Sequence, residues 1–207
     1  KRTAALAQAA KLWPDELVVA ALQAGNSLLC VDGVNFFSDV HPKNPFRPEA
    51  STWSNLRTNF QFNEANFASA FQDFRLIVGW DERIMKVKPD TIIGPPQLED
   101  QFKRTLFIPT VADPNGGNAP INNIHFGKIK NMQILEELYL APGVWYLAVT
   151  EGVEKPIVFQ QRMAPTFEQI SQPGSEYVIM NRKIVYTVTA RGGVGYYLPH
   201  FCARYEE

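Results

Sequence analysis

The chain has 207 residues, 45% of them apolar, and 20 Lys and Arg against 21 Asp and Glu leave a net charge of −1. That apolar content supports a packed core and excludes a disordered chain, while the near-zero charge excludes a global pull toward nucleic acid or an anionic membrane. Two cysteines, Cys30 and Cys202, exclude a disulfide framework, and no window reaches the roughly 20 consecutive apolar residues of a membrane span.

Residues 1–12 (KRTAALAQAAKL) are alanine-rich and read as helix. Pro14 suits the first position of a helix, with Asp15 and Glu16 at its positive end. It therefore either kinks one long helix of about six turns or opens a second one. Leu17, Val18, Ala21 and Leu22 make an apolar stripe, and Gly25 is expected to take the left-handed conformation that ends helices. Asp32-Gly33, set between the apolar runs Leu28–Val31 and Val34–Phe37, predicts a hairpin turn leading into an aromatic strand. Residues 42–59 carry Pro42, Pro45 and Pro48 and read as a loop or crossover.

Asn63 is the expected N-cap of the next helix, with Glu64 in its first turn and Phe62 and Phe67 in staple positions. Phe67, Ala70, Phe71, Phe74, Ile77 and Val78 form its apolar face. Thr91–Ile93 reads as a buried strand. Pro95-Pro96 opens a further helix, with Leu98, Phe102 and Leu106 inward and Glu99–Lys103 and Asp100–Arg104 as outer pairs. Residues 108–121 turn loop-like around ADPNGGNAP, and strands follow over 127–140, 144–149, 156–162, 176–181 and 183–190. The fold class is α+β, with the two ends of the chain combining around an inserted middle domain.

The candidate chemistry is thin. His41, His125 and His200 show no HxxxH or HxH spacing, so no metal is expected. Cys30, Asp39 and His41 lie close in sequence. A nucleophilic cysteine, however, needs an exposed electropositive setting, and Cys30 follows Leu28-Leu29 on an apolar run. Arg191-Gly192-Gly193-Val194-Gly195 fits neither phosphate-binding pattern and reads as a turn near the C-terminus. Asp81-Glu82 and Glu136-Glu137 are adjacent rather than face-sharing, and the basic residues of 83–88 and 128–130 lack interleaved aromatics. With no catalytic constellation and no cofactor expected, the residues favour a structural or binding role over an enzyme.

Two blocks carry a resemblance. The first is Pro14-Asp15-Glu16-Leu17, then Cys-x-Asp-Gly-x-Asn-Phe-Phe over 30–37, then His41-Pro42. The second is Lys155–Arg162 (KPIVFQQR). A third and weaker one is the strand ending near Arg191, followed by Gly195-Tyr196. Together they resemble the phage Mu-like major head (capsid) subunit, the gpT family.

The resemblance implies the tailed-phage Hong Kong 97-type capsid fold. Residues 1–51 would be the long spine helix and first part of the peripheral domain, 52–154 the axial domain, and 155–207 the remainder of the peripheral domain. It further implies self-assembly into pentamers and hexamers of an icosahedral shell around double-stranded DNA. Scaffold and portal would be additional partners, with no membrane, in the virion capsid after assembly in the host cytoplasm. Such subunits carry an N-terminal arm and an extended loop before the spine helix. The chain is expected to be a fragment that lacks both. The loop at 113–120 is expected to point to the ring centre, and Asp113, Asn115, Asn118 and Arg162 are the expected assembly contacts. Two alternatives stay open: a non-viral nanocompartment shell of the same fold, and a small hydrolase using Cys30 and His41.

Overall fold

A computed structural model describes residues 2–47, 51–112, 120–169, 174, 176–182 and 184–207. In chain order the elements begin with α1 (Arg2–Ala24), β1 (His41–Pro42), β2 (Thr52–Trp53), β3 (Leu56–Arg57), α2 (Glu64–Arg75) and β4 (Thr91–Gly94). A composite helix follows: a 3₁₀ turn Pro96–Leu98, α3 (Glu99–Phe102) and a π turn Lys103–Phe107. Then come β5 (Thr110–Val111), β6 (Ile121–Asn122), β7 (Asn131–Ile134), β8 (Trp145–Ala148), β9 (Ile157–Gln169), α4 (Glu176–Asn181), β10 (Tyr186–Tyr196) and β11 (Cys202–Tyr205). The chain divides into two compact units, Lys1–Gln23 with Ile157–Gly195, and Ala24–Pro156 with Tyr196–Glu207.

The larger unit is built on a five-stranded sheet of order β3-β11-β8-β4-β7. β8 runs antiparallel to both β11 and β4, whereas β4 and β7 are parallel, joined by the composite helix. All four residues of β8 are buried, so the sheet is covered on both faces. On one face Trp145, Leu147, Ala203 and Tyr205 join Phe62, Phe67, Phe71, Phe74, Phe102 and Leu106 in a single aromatic core. Tyr146 points the other way, 5.5 Å from the Phe37 ring, which in turn meets Phe36 at 4.8 Å. The alternation of β8 side chains thus assigns the two helices to one face and the 25–37 segment to the other.

Several expectations hold for clear reasons. Asn63 caps α2, its side-chain oxygen accepting from the Asn66 N–H at 2.8 Å, and Phe67, Ala70, Phe71 and Phe74 are its buried residues. The strand at 91 and the inward Leu98, Phe102 and Leu106 are as the spacing requires, and Glu99 pairs with Lys103.

Others are corrected. Of the two readings of Pro14, one long helix holds, 23 residues with Pro14 inside it. What is corrected is the place of Asp15 and Glu16, which sit in mid-helix rather than at a positive end, and Val19 and Leu22 are the buried residues of the helix. Gly25 does not adopt a left-handed conformation. It is needed for space, because a Cβ there would stand 2.5 Å from Phe37 Cδ2. The hairpin turn expected at Asp32-Gly33 is present, as a three-residue loop. Gly33 has φ +83° and donates to Cys30 O at 3.1 Å, and Cys30 N–H bonds Val34 O at 2.7 Å. This is the type I turn with a following left-handed residue that three-residue hairpins use. The flanking residues make one bridge, Leu29 with Asn35, and no aromatic strand forms at 34–37.

In the smaller unit β9 and β10 pair as a two-stranded sheet, with α4 in the connection. Residues 176–181, read as strand from Val178-Ile179, are helical. The glycine run 192–195, read as a turn, lies within β10. A Cβ on Gly192 would meet Phe159 Cζ at 2.7 Å, so the missing side chain makes room for that ring, whose other neighbour is the edge of Trp13 at 6.0 Å. Cys202–Tyr205, not foreseen as a strand, is central to the larger sheet.

Candidate assembly surfaces

Of the three residues that suggested nucleophilic chemistry, Asp39 is exposed and His41 instead belongs to a buried polar hub with Asp32 and Asn55. The Asp32 carboxylate meets His41 Nδ1 at 2.6 Å, and neither side chain is exposed to solvent. The other His41 nitrogen bonds Asn55 Oδ1 at 3.0 Å, and the same oxygen accepts the Ser38 N–H at 2.9 Å. Asn55 Nδ2 donates to Phe36 O at 2.8 Å and to Pro199 O and Cys202 O at 3.2 Å. One amide therefore ties the turn segment, β1 and the C-terminal strand together. Burial raises the Asp32 carboxyl, but the His41 hydrogen bond and charge, with the Val34 N–H, outweigh it and hold the group below its ordinary value.

Cys30 carries no nucleophile. Burial pushes its thiol up to about 11, and Asp32 adds to the rise against the Val31 and Asp32 backbone; a thiol so placed stays protonated at neutral pH. Trp53 is stacked between His41 at 4.7 Å and His200 at 4.4 Å, so both imidazoles serve as buried packing. Among the described residues no three His, Cys, Asp or Glu side chains gather as metal ligands, and no helix is long and apolar enough to cross a membrane.

The surface is more informative than the interior. Leu140 is 92% exposed beside Tyr139 at 64%, and Leu29, Val31, Ile124, Ile179 and Met180 are all more than 60% exposed. Adjacent exposed pairs such as Tyr139-Leu140 and Ile179-Met180 are candidates for contact surfaces, whereas single exposed apolar residues are ordinary. Arg162, the one expected contact among the described residues, is exposed on β9. It lines a shallow groove of about 340 Å³ with Gln160, Arg191, Gly192 and Gly193. Asp113, Asn115 and Asn118 lie outside the described residues.

Residues 1–62 and 122–206 match the family described as the Mu-like prophage major head subunit gpT, more than half of the chain. The chain belongs to that family. Over 54 residues it is 42% identical to the Mu-like prophage FluMu major head subunit of Haemophilus influenzae, a stretch covering 26% of this chain and 18% of that relative. Among solved structures it is similar to a chain of the bacteriophage JBD30 procapsid, with 26% identity and a TM-score of 0.45, over 96% of this chain and 41% of that one. A chain of the JBD30 capsid decorated with minor capsid protein trimers is 17% identical at a TM-score of 0.49, over 64% of this chain and 65% of that one. The chain thus spans less than two thirds of the length of these relatives.

Family membership places the chain among head subunits rather than enzymes, and the structure gives its motif residues physical jobs. In Cys-x-Asp-Gly-x-Asn-Phe-Phe, Cys30 closes the turn, Asp32 holds His41, and Gly33 supplies the positive φ. Asn35 Nδ2 donates to Asn26 O at 2.6 Å, and Phe36 and Phe37 are buried against the sheet. The motif is a folding device. Asn55, its essential partner, carried no signal in the sequence, because a lone Asn in a proline-rich stretch looks like any loop residue. The unmatched interval, 63–121, contains α2, β4 and the composite helix.

Proposed function

We propose that the chain serves as the major head subunit of a Mu-like phage or prophage, a structural protein that packs with copies of itself into a closed icosahedral shell around double-stranded DNA. The observation that carries this reading is the gpT family match over residues 1–62 and 122–206. The exposed apolar side chains support it, since a subunit that buries its surface against neighbours presents such groups before assembly.

In this reading the fold is of the Hong Kong 97 type. Residues 1–51 supply the spine helix and the start of the peripheral domain, 52–154 the axial domain, and 155–207 the remaining peripheral part. Arg162 contacts a neighbouring copy. Pentamers and hexamers form by heterologous contacts that close into rings. Scaffold and portal are the further partners, assembly takes place in the host cytoplasm, and the finished subunit resides in the virion capsid.

Electron microscopy of the purified full-length subunit tests the reading. Rings or closed shells are expected; a subunit that stays monomeric even with its neighbouring head-gene products overturns it.

A further inference from the structure

The larger unit carries a projecting apolar turn at one end and an apolar groove at the other. The turn follows β7. Leu138 anchors it, only 1% exposed, and the Tyr139 and Ala141 N–H groups bond Glu136 O and Leu138 O at 3.0 and 2.8 Å. Gln97 Nε2 braces it from outside by donating to Tyr139 O at 3.1 Å. On this fixed platform Tyr139 and Leu140 stand out into solvent beside the carboxylate of Glu136.

The groove, about 780 Å³, has Phe71 and Ala68 along its floor, with the half-exposed Leu76 and Ile84 on its walls. Its rim is cationic, formed by Arg75, Lys86 and Lys128. Lys128 is held over the Phe71 ring at 5.6 Å and against His125 Nδ1 at 3.0 Å.

Turn and groove lie at opposite ends of the parallel β4–β7 pair. Lys128 precedes β7 on the side where Lys130 N–H bonds Asp90 O, whereas the turn leaves β7 on the side where Leu135 N–H bonds Gly94 O. Four residues of strand separate the two ends by about 13 Å. One molecule therefore offers an acidic apolar knob in one direction and a basic apolar hole in the other.

Resting on the head-subunit reading, we propose that the groove between α2 and residues 77–86 receives the Glu136–Leu140 turn of a second copy of this chain. Leu140 enters over Phe71, between Leu76 and Ile84, and Glu136 meets the Arg75, Lys86 and Lys128 rim. Knob and hole at opposite ends of the strand pair suit a head-to-tail contact, which forms a ring where the rotation between copies closes. The braced turn loses little conformational freedom on docking, which favours a tight fit. All the groove residues but Lys128 lie outside the residues that the family match covers.

The test uses the full-length subunit carrying both Leu140→Cys and Ile84→Cys, oxidised after assembly. A ladder of disulfide-linked species reaching the ring size is expected in shells, because each link joins neighbouring copies. A second arm uses charge exchange. Glu136→Lys and Lys86→Glu should each lower assembly by about tenfold, and their combination should recover most of it. Shells that form normally with no ladder, or single charge variants that assemble like the parent, overturn the knob-and-hole contact while leaving the head-subunit reading intact. A parent subunit that forms no rings at all overturns both.

Discussion

The two units solve the strand problem in opposite ways. In the larger one, β8 spends four residues and buries all of them; helices cover one face of the sheet and the 25–37 segment covers the other. In the smaller one, β9 and β10 run for 13 and 11 residues with no fully buried position in either strand among those described. An isolated two-stranded ribbon is marginal in water, whereas a sheet of several strands with a covered face is stable by itself. The first unit thus holds its shape through its own core, and the second leaves its two long strands without a fully buried position among the described residues. A shell subunit needs both: a rigid block to set spacing, and open surface to spend on contacts.

The largest effect that separates them is aromatic truncation. Trp145 is fully buried, stacked on Tyr205 at 4.2 Å and edge-on to Phe62 at 5.2 Å, with its indole N–H on Phe60 O at 3.1 Å. Trp145→Ala should cost about 3–5 kcal/mol and collapse the five-stranded sheet. Phe159→Ala, at a half-buried ring over Gly192, should cost about 1 kcal/mol and leave that sheet's amide protection unchanged. Urea unfolding combined with hydrogen exchange reads both, and equal losses from the two would erase the contrast.

Acid should act on the larger unit in the same selective way. His200 is pushed down to about 4, first by burial and then by the neighbouring His41, with Asp32 and the Val78 backbone pulling less strongly the other way. In the unfolded chain the ring titrates near 6.5. Between those values the unfolded state binds a proton that the folded state refuses, so stability is intact above about pH 6.5. It falls by up to about 3 kcal/mol as the pH drops to about 4. Asp32, held below its ordinary value, contributes stability that is lost only at still lower pH. His200→Phe keeps the Trp53 stack and should flatten the slope in the upper window. A slope unchanged by that substitution would assign the acid response to another group.

Much of the larger unit was legible because its signals are local. An Asn cap, a 3.6-residue apolar period and a Pro-Pro helix start all act within a few residues of where they are read. What misled was set by distant partners. Val178-Ile179 favours strand in isolation, yet the segment is helical. Gly192–Gly195 has turn chemistry, yet it runs on in β10, where Gly192 makes room for Phe159. Pro14 left open both one long helix and a second helix start, and the continuous α1, with Val19 and Leu22 buried, is the first of these. On the functional side, the family was readable in the residues of the Cys30–Phe37 turn. The knob and groove were not, since an exposed Leu140 and a scattered Arg75, Lys86 and Lys128 acquire meaning only once the sheet places them at opposite ends. Glu136, one of two adjacent acids with no shared face to make them a site, becomes informative by the same placement.

The smallest effect is the sharpest test, because it applies the same chemical change to both units. Gly25 and Gly192 each face a phenylalanine that an added methyl group would strike, at 2.5 Å for Phe37 Cδ2 and 2.7 Å for Phe159 Cζ. Neither glycine needs a positive φ, so backbone strain drops out of the comparison. What differs is whether the ring can yield. Phe37 is 1% exposed and boxed in by Phe36 and Tyr146, so Gly25→Ala must shift a packed core and should cost about 1–3 kcal/mol. Phe159 is half-buried on an open ribbon and can swing clear, leaving the Gln160 carbonyl oxygen at 3.1 Å to give by a few tenths of an ångström, so Gly192→Ala should stay within about 1 kcal/mol. Calorimetric unfolding of the two variants decides it. If Gly192→Ala proves the more damaging, the ribbon is as tightly packed as the sheet, and the division of labour between the two units is wrong.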